Sequence, residues 1–434
     1  MSTLDQRQKA KERVREARVQ TVAALDVGTS KVSCVIVRWD GESPNLRVIG
    51  MGDCTSNTGV RGGTVADIEA LERAIRTAVD AAERMANVSV SDVIVSYSGG
   101  GLRSQLVTGA APLDGEPIGR REVRRAILQA MEGVRCTGQD LLHANPIDYA
   151  LDDGCSVRDP RGMLAEKLTV GLHALAAPAA ATRNLVVAVE RAHLAVDKIV
   201  AAPYASALAT LVEDEMQLGS ICVDMGAGAT KLAIYVDGGF AFADTIALGG
   251  MRVTADIAQG LGATFLAAER AKLAFGAVDS ADLGGGDHDL IEIEQVGEHG
   301  ETSKVATTRG ALTGIIRPRM EEIFEIARDR LTRTEASNGA VRVVLTGGAS
   351  QMPGARALAQ KVFGRPVRLA RPLRVDGMDE ANSAAYATAI GLARWKLDRP
   401  SDALRSSGPR PAAEQEALRS GLLSRAMAWM KENL

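Results

Sequence analysis

The sequence predicts an α/β protein of two related lobes, with an α+β subdomain inserted in the first lobe and an amphipathic helix at the C-terminus. Two apolar strands, far apart in the chain, each end in an aspartate, at Asp26 and Asp224, and turn back through small residues into a second apolar strand. A third strand, residues 341–346, is rich in β-branched residues and runs into Gly347 and Gly348 ahead of a predicted helix. The composition, 46% hydrophobic but only 3% aromatic, favours cores of alanine, valine, leucine and isoleucine, as in α/β layers.

The first hairpin turns through Gly28, Thr29, Ser30 and Lys31, directly after the strand that ends at Asp26. Backbone N–H groups around such a bend form a concavity that binds anions, and an adjacent carboxylate can hold a hydrated cation. Glycine allows a phosphate to lie close to the main chain because no Cβ stands in the way. Two alternatives stay open: an Asp-x-Gly turn also closes ordinary hairpins, and Lys31 is also consistent with a solvated hairpin residue.

The second hairpin repeats this arrangement after Asp224. Its turn consists of small residues: Gly226, Ala227, Gly228, Ala229 and Thr230. Two such turns in corresponding places predict two lobes that face each other across the phosphates of a nucleotide. The third turn, Gly347-Gly348-Ala349, lies at a helix start, where a flat base or a ribose can lie against the main chain.

The order of strands, helices and turns divides the chain into segments. Residues 1–20 are charge-rich and predict a disordered tail, whereas residues 399–413 are rich in proline, serine and arginine and predict a flexible linker. The globular part is predicted to contain the lobe-one core (21–95), the inserted subdomain (96–176), more lobe-one core (177–205), the lobe-two core (206–254), a lobe-two subdomain (255–334), more lobe-two core (335–380) and a closing helix of lobe one (381–398).

Within the lobe-two subdomain, the pattern of polar and apolar residues predicts a hairpin and a helix. The hairpin is expected over residues 280–308, where polar and apolar residues alternate and the turns are rich in glycine. The helix is expected over residues 318–332, with Pro318 in its first turn, where the missing N–H of proline costs no hydrogen bond.

Residues 414–434 predict an amphipathic helix at the end of the linker. On a helical projection, one half of its surface is apolar, and the other half carries serines together with Arg425 and Lys431. The apolar half is formed by Leu418, Leu422, Leu423, Met427, Trp429, Met430 and Leu434. A tryptophan among aliphatic side chains, with cations opposite, is typical of a helix that lies in the interface of an anionic membrane. The alternative is a helix that docks back on the second lobe.

The bulk properties exclude several classes of protein. A formal net charge of −3 gives no reason to expect nucleic-acid binding. We expect no transmembrane helix, because no run of about 18 apolar residues exists, and no signal peptide, because the charged N-terminus lacks an apolar segment. The five cysteines are scattered without paired spacing, which predicts small core residues in a reducing cytosol.

The three turn motifs resemble the first phosphate, second phosphate and adenosine motifs of the actin/Hsp70/sugar-kinase superfamily. Within it, residues 25–31 and 345–354 are most similar to the FtsA family of bacterial cell-division proteins, and the resemblance extends from about Thr21 to the C-terminus. It implies a two-lobed, actin-like fold of duplicated ribonuclease-H-like cores, in which the insertion in the first lobe distinguishes FtsA-like proteins from actin.

The resemblance also implies a cofactor and roles for these residues. The turn after Asp26 is expected to surround the β- and γ-phosphates of ATP, opposite the turn after Asp224. The two aspartates are expected to orient waters on Mg²⁺ rather than to bind the metal directly. Glu269 and Lys272, three residues apart on one predicted helix, become candidates for the ribose and adenine side, although an exposed ion pair would have the same spacing.

Departures from the superfamily pattern lower the expected rate of ATP hydrolysis. The second phosphate turn usually reads Asp-x-Gly-Gly-Gly-Thr, whereas here Ala227 and Ala229 occupy two of these places and the hydroxyl comes one residue later, at Thr230. Hydrolytic members carry a glutamate or glutamine near the helix that links the lobes, to position the attacking water, but residues 200–206 contain neither. We therefore expect tight nucleotide binding with at most weak ATPase activity, and we assign no catalytic residue.

The resemblance implies an actin-like, ATP-binding protein that polymerises and tethers the bacterial division ring to the membrane. The implied partners are the C-terminal tail of FtsZ, bound by the lobe-two subdomain, other division proteins, further copies of the chain in a filament, and the anionic surface of the inner membrane. The implied location is the cytoplasmic face of that membrane at midcell. Two alternatives share the core: an ATP-binding scaffold of pilus assembly, and a sugar-kinase-type phosphotransferase, which would need a catalytic base and a sugar pocket that the sequence does not indicate.

Overall fold

The first lobe is built on a six-stranded sheet that begins with an antiparallel meander. The computed structural model describes residues 19–41, 43–56, 58–152, 154–279, 286–296 and 302–397. The first elements are β1 (Gln20–Val27), β2 (Lys31–Trp39), β3 (Leu46–Thr55), β4 (Val60–Arg61), β5 (Thr64–Val65), α1 (Ile68–Ala86) and β6 (Asp92–Tyr97). Strands β1 and β2 are near-continuous apolar runs, which is the pattern of strands buried on both faces of a sheet.

Helix α1 has a clear signal at each end. The Asp67 side chain accepts a hydrogen bond from the Ala70 N–H at 3.0 Å and caps the first turn, and the left-handed Asn87 ends the last one. Between these ends, apolar residues recur at helical spacing and are buried: Leu71, Ala74, Ile75, Ala78, Val79 and Ala82. This face packs on β3, where Gly50 and Gly52 allow the helix backbone to come close to the sheet.

A four-stranded antiparallel sheet is inserted after β6 and has a core of its own. Its elements are β7 (Arg103–Pro112), α2 (Arg120–Glu132), β8 (Gln139–Leu151), β9 (Cys155–Val157) and β10 (Lys167–Pro178). The strands are ordered β7-β10-β8-β9, and α2 packs on β7 and β10. The alanines of α2 face this sheet and are fully buried, and Gly109 lets the two backbones approach. This arrangement confirms the predicted inserted α+β subdomain.

The chain then completes the first lobe and forms the second. The connecting elements are α3 (Ala179–Arg191), β11 (Ala195–Ala201), α4 (Ala202–Thr210) and α5 (Glu213–Leu218). The second lobe contains β12 (Ser220–Met225), β13 (Thr230–Val236), β14 (Gly239–Ile246), α6 (Gly250–Gly260), α7 (Phe265–Phe275), β15 (Leu290–Val296), β16 (Thr302–Thr308), α8 (Arg309–Thr332), β17 (Arg342–Thr346), α9 (Ala355–Phe363) and β18 (Val367–Leu369). The final elements are β19 (Val375–Asp376) and α10 (Ala387–Leu397).

The two main sheets share one topology. In the first lobe the order β3-β2-β1-β6-β11 joins an antiparallel meander to two parallel strands, with β19 added at the edge of β3. In the second lobe the order β14-β13-β12-β17-β18 repeats it, again with parallel pairing of the last strands. The predicted duplication is therefore confirmed, and β1–β2 corresponds to β12–β13.

The long helix α8 differs from the sequence-based expectation. It begins nine residues before Pro318, so that the proline lies inside the helix and not in its first turn. An interior proline costs about 3 kcal/mol. The side chains on one face are fully buried on both sides of the proline, among them Leu312, Ile316, Met320 and Ile323. Because burial of each such side chain contributes ~1.5–3 kcal/mol, tertiary packing outweighs the local preference.

The lobes meet where α10 returns to the first lobe and crosses α4. Gly391 of α10 lies against the backbone of Ala205 in α4, so closely that a Cβ at residue 391 would overlap the Ala205 carbonyl oxygen. Beside this crossing, the Tyr204 ring stacks on Phe240 of β14, with centroids 4.3 Å apart. The core of the first lobe is thus continuous with one face of the second sheet.

Several predicted segments lie outside the described residues. These are residues 1–18 of the N-terminal tail, the linker and the C-terminal amphipathic helix with all of its proposed membrane-contacting side chains. The middle of the predicted 280–308 hairpin is also outside them, although β15 and β16 pair as an antiparallel ladder on either side. Among the described helices, none is both long and apolar enough to cross a bilayer.

We predict that Gly391→Ala destabilises the junction of the lobes. The added methyl group must displace the backbone of α4, and overpacking of this kind costs about 1–3 kcal/mol. The apparent melting temperature, followed by differential scanning calorimetry, is therefore expected to fall by several degrees. The matched control is Gly314→Ala in the interior of α8, where a Cβ would meet no atom within 4 Å and where alanine favours the helix. Equal melting temperatures for the two variants would contradict the prediction.

Candidate functional site

A cleft of about 460 Å³ lies between the lobes, at the mouths of the two corresponding hairpins. Its volume falls within the range of pockets that bind small molecules and cofactors. Most of the site residues predicted from the sequence line it: Asp26, Gly28, Thr29, Ser30, Lys31, Asp224, Gly226, Ala227, Gly228, Ala229, Glu269, Lys272, Gly347, Gly348 and Ala349. Thr230 does not line the cleft, because its hydroxyl donates to the Leu248 carbonyl at 2.8 Å and is buried.

The two hairpin turns have the same backbone geometry. The Gly28 N–H donates to the Lys31 carbonyl at 3.1 Å, and the Gly226 N–H donates to the Ala229 carbonyl at 2.9 Å. In both turns a Cβ on the glycine would lie within 3.0 Å of the carbonyl that accepts this bond. A side chain at Gly28 would force the turn to shift, and one at Gly226 would be tightly packed against it, so both turns favour glycine at this place.

The turns are also in direct contact with each other. A Cβ on Gly228 would overlap the side chain of Thr29, so that only a glycine allows the two turns to come this close. The Thr29 side chain is fixed by a contact within its own lobe, because its Oγ1 accepts a hydrogen bond from the Gly63 N–H at 3.1 Å. The Ser56 hydroxyl supports the same turn by donating to the Gly28 carbonyl at 2.6 Å. The structure thus shows the two lobes closed around the cleft.

The aspartate of the first hairpin is fixed by a serine from the neighbouring strand. Asp26 Oδ1 accepts a hydrogen bond from the Ser96 hydroxyl at 2.6 Å, and that hydroxyl oxygen accepts from the Val27 N–H at 3.0 Å. No cationic side chain bonds Asp26 among the described residues. Asp26 therefore makes no direct ion pair with a described residue, and Lys231 compensates its charge only through space.

The aspartate of the second hairpin is bound very differently. Asp224 Oδ2 accepts from the Ser206 hydroxyl of α4 at 2.5 Å, from the Lys231 ammonium at 3.0 Å and from the Thr388 hydroxyl of α10 at 3.1 Å. Burial disfavours the charged form of Lys231, but the carboxylates of Asp224 and Asp26 outweigh it and raise the pKa of Lys231 above its ordinary value. The charged form of Lys231 is thus favoured beside Asp224, at the border of the cleft.

Lys31, at the end of the first turn, is engaged within its own lobe. Its ammonium lies 3.1 Å from Asp53 Oδ2 and 3.5 Å from the centre of the Tyr386 ring. Asp53 also accepts from the Tyr386 hydroxyl. Burial acts to raise the pKa of Asp53, but hydrogen bonds from Ser33, Tyr386 and Lys31 lower it overall. Lys31 lines the cleft, and its side chain is 30% exposed, so its charge is both paired and accessible.

Glu269 and Lys272 form a network that joins α7 to the start of α6. The Lys272 ammonium donates to Glu269 Oε2 at 2.7 Å, to the Thr254 hydroxyl at 2.8 Å and to the Gly250 carbonyl at 3.2 Å. The side chain of Lys272 is only 10% exposed, so this is not the exposed ion pair that the spacing alone would allow. The network holds α6 and α7 together where they border the cleft.

The third turn closes the cleft from the side of β17. Gly347 has a φ of 87°, in the left-handed region that favours glycine, and a Cβ there would overlap Asp224 Oδ1. The Ser350 hydroxyl donates to the Gly347 carbonyl at 2.7 Å and fixes the short 3₁₀ turn Gly348–Gln351. Bare main chain of the second lobe is thereby exposed to the cleft beside Asp224.

The residues present fit a hydrated divalent cation better than a directly bound one. Within the described ranges, no group of three or more histidine, cysteine, aspartate or glutamate side chains could enclose a metal ion. Asp26 and Asp224 nevertheless border one cleft from opposite lobes, beside glycines that leave space for phosphate oxygens. Carboxylates in this position can accept hydrogen bonds from the waters of a Mg²⁺ ion that is itself held by phosphate.

The residues that bond Asp224 were not among those predicted from the sequence. Ser206 and Thr388 come from helices of the connecting region, and no local pattern marks them. Lys231 carried a usable signal, because in an antiparallel hairpin the register places it directly across from Asp224.

Comparisons with known proteins give a consistent result. The sequence model described as "Cell division protein FtsA" matches residues 221–391, and that described as "SHS2 domain inserted in FTSA" matches residues 99–176. A protein named "Cell division protein FtsA" from Rhizobium meliloti (strain 1021) is 38% identical over 388 residues, which cover 86% of this chain and 87% of that protein.

Solved structures share the fold at low sequence identity. A chain of the PilM-PilN type IV pilus biogenesis complex superposes with a TM-score of 0.61 at 18% identity, covering 87% of this chain and 98% of that one. MreB5 of Spiroplasma citri bound to ADP superposes with a TM-score of 0.53 at 14% identity, covering 88% and 97% of the two chains. These likenesses concern the two-lobed architecture alone.

Proposed function

We propose, from the premise that this chain belongs to the FtsA family of bacterial cell-division proteins, that it binds ATP between its lobes and tethers the division ring to the membrane. The main support for nucleotide binding is the pair of matching glycine turns, at Gly28 and Gly226, which face each other across one cleft. Bare N–H groups and small residues on both sides are what the phosphates of a nucleotide require. That MreB5 was solved with ADP agrees with this use of the architecture.

The proposed site would also take Mg²⁺, which would supply positive charge to offset that of the phosphates. Asp26 and Asp224 would hold it through its waters, and the turns of 28–31 and 226–229 would surround the β- and γ-phosphates. The ribose and adenine would lie against Gly347-Gly348-Ala349 on one side and the Glu269–Lys272 network on the other.

Hydrolysis of the nucleotide is proposed to be weak. Residues 200–206 form the end of β11 and the start of α4, and they carry no carboxylate or amide that could orient an attacking water. The hydroxyl of Ser206 in this segment already donates a hydrogen bond to Asp224. The nucleotide then acts mainly to hold the two lobes closed. Closed lobes favour association of the chain with further copies of itself into filaments. Light scattering, measured with and without ATP, would follow this association.

Attachment to the membrane is proposed to reside in residues 414–434. The apolar half of this sequence, centred on Leu422 and Trp429, would enter the lipid interface, while Arg425 and Lys431 meet anionic headgroups. Many such helices along one filament would bind far more firmly than a single one because of their high effective concentration. The protein would then act on the cytoplasmic face of the inner membrane at midcell, where other division proteins join it.

The lobe-two subdomain is proposed to bind the C-terminal tail of FtsZ. Leu266 lies in the first turn of α7 and is exposed. Leu290 at the start of β15 is exposed in the same subdomain. Exposed aliphatic side chains of this kind suit the apolar anchors of a short peptide.

We predict that Gly347→Ala weakens ATP binding about tenfold or more. The methyl group forces a strained φ and pushes on the Asp224 carboxylate, and strain of this kind costs about 1–3 kcal/mol. Isothermal titration calorimetry with ATP and Mg²⁺ gives the dissociation constant. Gly364→Ala is the matched control, since Gly364 has a φ of 62° but open space around its Cα and lies at the end of α9. An equal loss of affinity in both variants would refute the assignment of the third turn.

We predict that the full chain sediments with anionic liposomes in ATP and Mg²⁺, whereas a chain truncated after Arg410 stays in the supernatant. Leu422→Glu should lower the apparent binding constant for the liposomes about tenfold or more, because burial of one leucine contributes ~1.5–3 kcal/mol. Ser424→Glu adds the same charge to the polar face and should have a much smaller effect. If the truncated chain sediments as well as the full one, the membrane-tether function is wrong.

We predict that Leu266→Asp weakens binding of an FtsZ C-terminal tail peptide about tenfold, as loss of an apolar anchor does. Fluorescence anisotropy of the labelled peptide measures the dissociation constant. Leu106→Asp places the same charge on an exposed leucine of the inserted subdomain and should leave the affinity unchanged. A peptide that binds both variants and the unaltered chain equally would exclude this surface.

A further inference from the structure

Lys231 is a buried lysine in the cleft that no part of the proposed function uses. It lies on β13, lines the cleft and is only 8% exposed. A charged side chain is buried to this degree only when other groups compensate for its lost hydration. The compensation comes from the Asp224 carboxylate directly across the hairpin.

The corresponding position of the first hairpin holds a different residue. In the β1–β2 ladder Asp26 pairs with Ser33, as Asp224 pairs with Lys231 in the β12–β13 ladder. The two hairpins are otherwise matched in strand register and in the hydrogen bond of the glycine turn. The duplicated site is therefore asymmetric in charge at this pair of positions, because only the second hairpin carries a cation opposite its aspartate.

The ammonium group of Lys231 has more donors than the protein uses. Among the described residues, two acceptors lie within hydrogen-bonding distance, Asp224 Oδ2 at 3.0 Å and Thr388 Oγ1 at 3.1 Å. An ammonium group carries three hydrogens, so one N–H is left over. A buried donor without a partner is costly, and the neighbouring space is the cleft.

A purely structural ion pair would explain these contacts less well. A buried ion pair adds little stability relative to apolar residues of the same size. An ion pair with a purely structural role also does not require a third N–H donor at the border of a cleft. Such a pair could equally lie far from the glycine turns.

We propose that Lys231 binds a phosphate oxygen of the nucleotide with this remaining N–H. The inference rests on the proposed binding of ATP in the cleft and assigns part of the positive charge that a triphosphate requires to the protein itself. Because Lys231 also neutralises Asp224, nucleotide binding at this site depends less on Mg²⁺ than it would at a site with two unpaired carboxylates. Nucleoside di- and triphosphates thus bind measurably when the divalent cation is removed.

The test is calorimetric titration of the full chain with ATP, ADP and adenosine, each with Mg²⁺ and with excess EDTA. The variants are Lys231→Met, which keeps the length of the side chain and removes its charge, and Lys231→Met combined with Asp224→Asn, which leaves no unpaired buried carboxylate. Lys304→Met is the control, because Lys304 forms an exposed ion pair on β16 outside the cleft.

We expect Lys231→Met to weaken ATP and ADP about 10- to 100-fold, the range for a hydrogen bond to a charged group, with the larger loss in EDTA. The double variant should show the same loss in EDTA, and adenosine should bind all forms equally. Unchanged ATP affinity in both variants, or an equal loss for adenosine, would overturn the role of Lys231. If the unaltered chain binds neither ATP nor ADP, the proposed nucleotide function itself fails, which is a separate and recognisable outcome.

Discussion

The carboxylate of Asp224 is the point on which the arrangement of the two lobes depends. Its Oδ2 atom accepts from Ser206 of α4, Lys231 of β13 and Thr388 of α10, which belong to the second lobe and to both helices that cross between the lobes. Breaking a buried pair of this kind by removing one partner is far more damaging than replacing both, because the remaining charge is left without hydration. The same group that borders the cleft therefore also holds the connecting helices.

Duplication supplies the geometry of the cleft, and departure from duplication supplies its chemistry. The two hairpins present the same glycine turn from opposite sides, which creates a nearly symmetric surface of main-chain groups. Side chains then break the symmetry: both aspartates accept a hydrogen bond from a serine, but only Asp224 also accepts one from a lysine. A nucleotide is itself asymmetric, with an adenosine end and a phosphate end, so that a symmetric cleft alone could not select one orientation for it.

Much of this fold follows from local signals in the sequence. The hairpins could be predicted because an apolar strand, an aspartate and a glycine turn occur within a few residues, and α1 because Asp67 caps a regular apolar stripe. Features that depend on contacts between distant parts of the chain could not be predicted in this way. Thr388 meets Asp224 across 164 positions, and the start of α8 is decided by core contacts that override Pro318. Thr230 illustrates the same limit, since its hydroxyl bonds a carbonyl of a later loop and not the cleft.

The close crossing of α4 and α10 has a mechanical consequence. Where Gly391 touches the backbone of Ala205, no side chains separate the helices, so neither helix can slide along the other without steric overlap. Shear is a motion of layers separated by adaptable side chains, whereas this contact behaves as a pivot. A change in the crossing angle is the relative movement of the two helices that this contact leaves open.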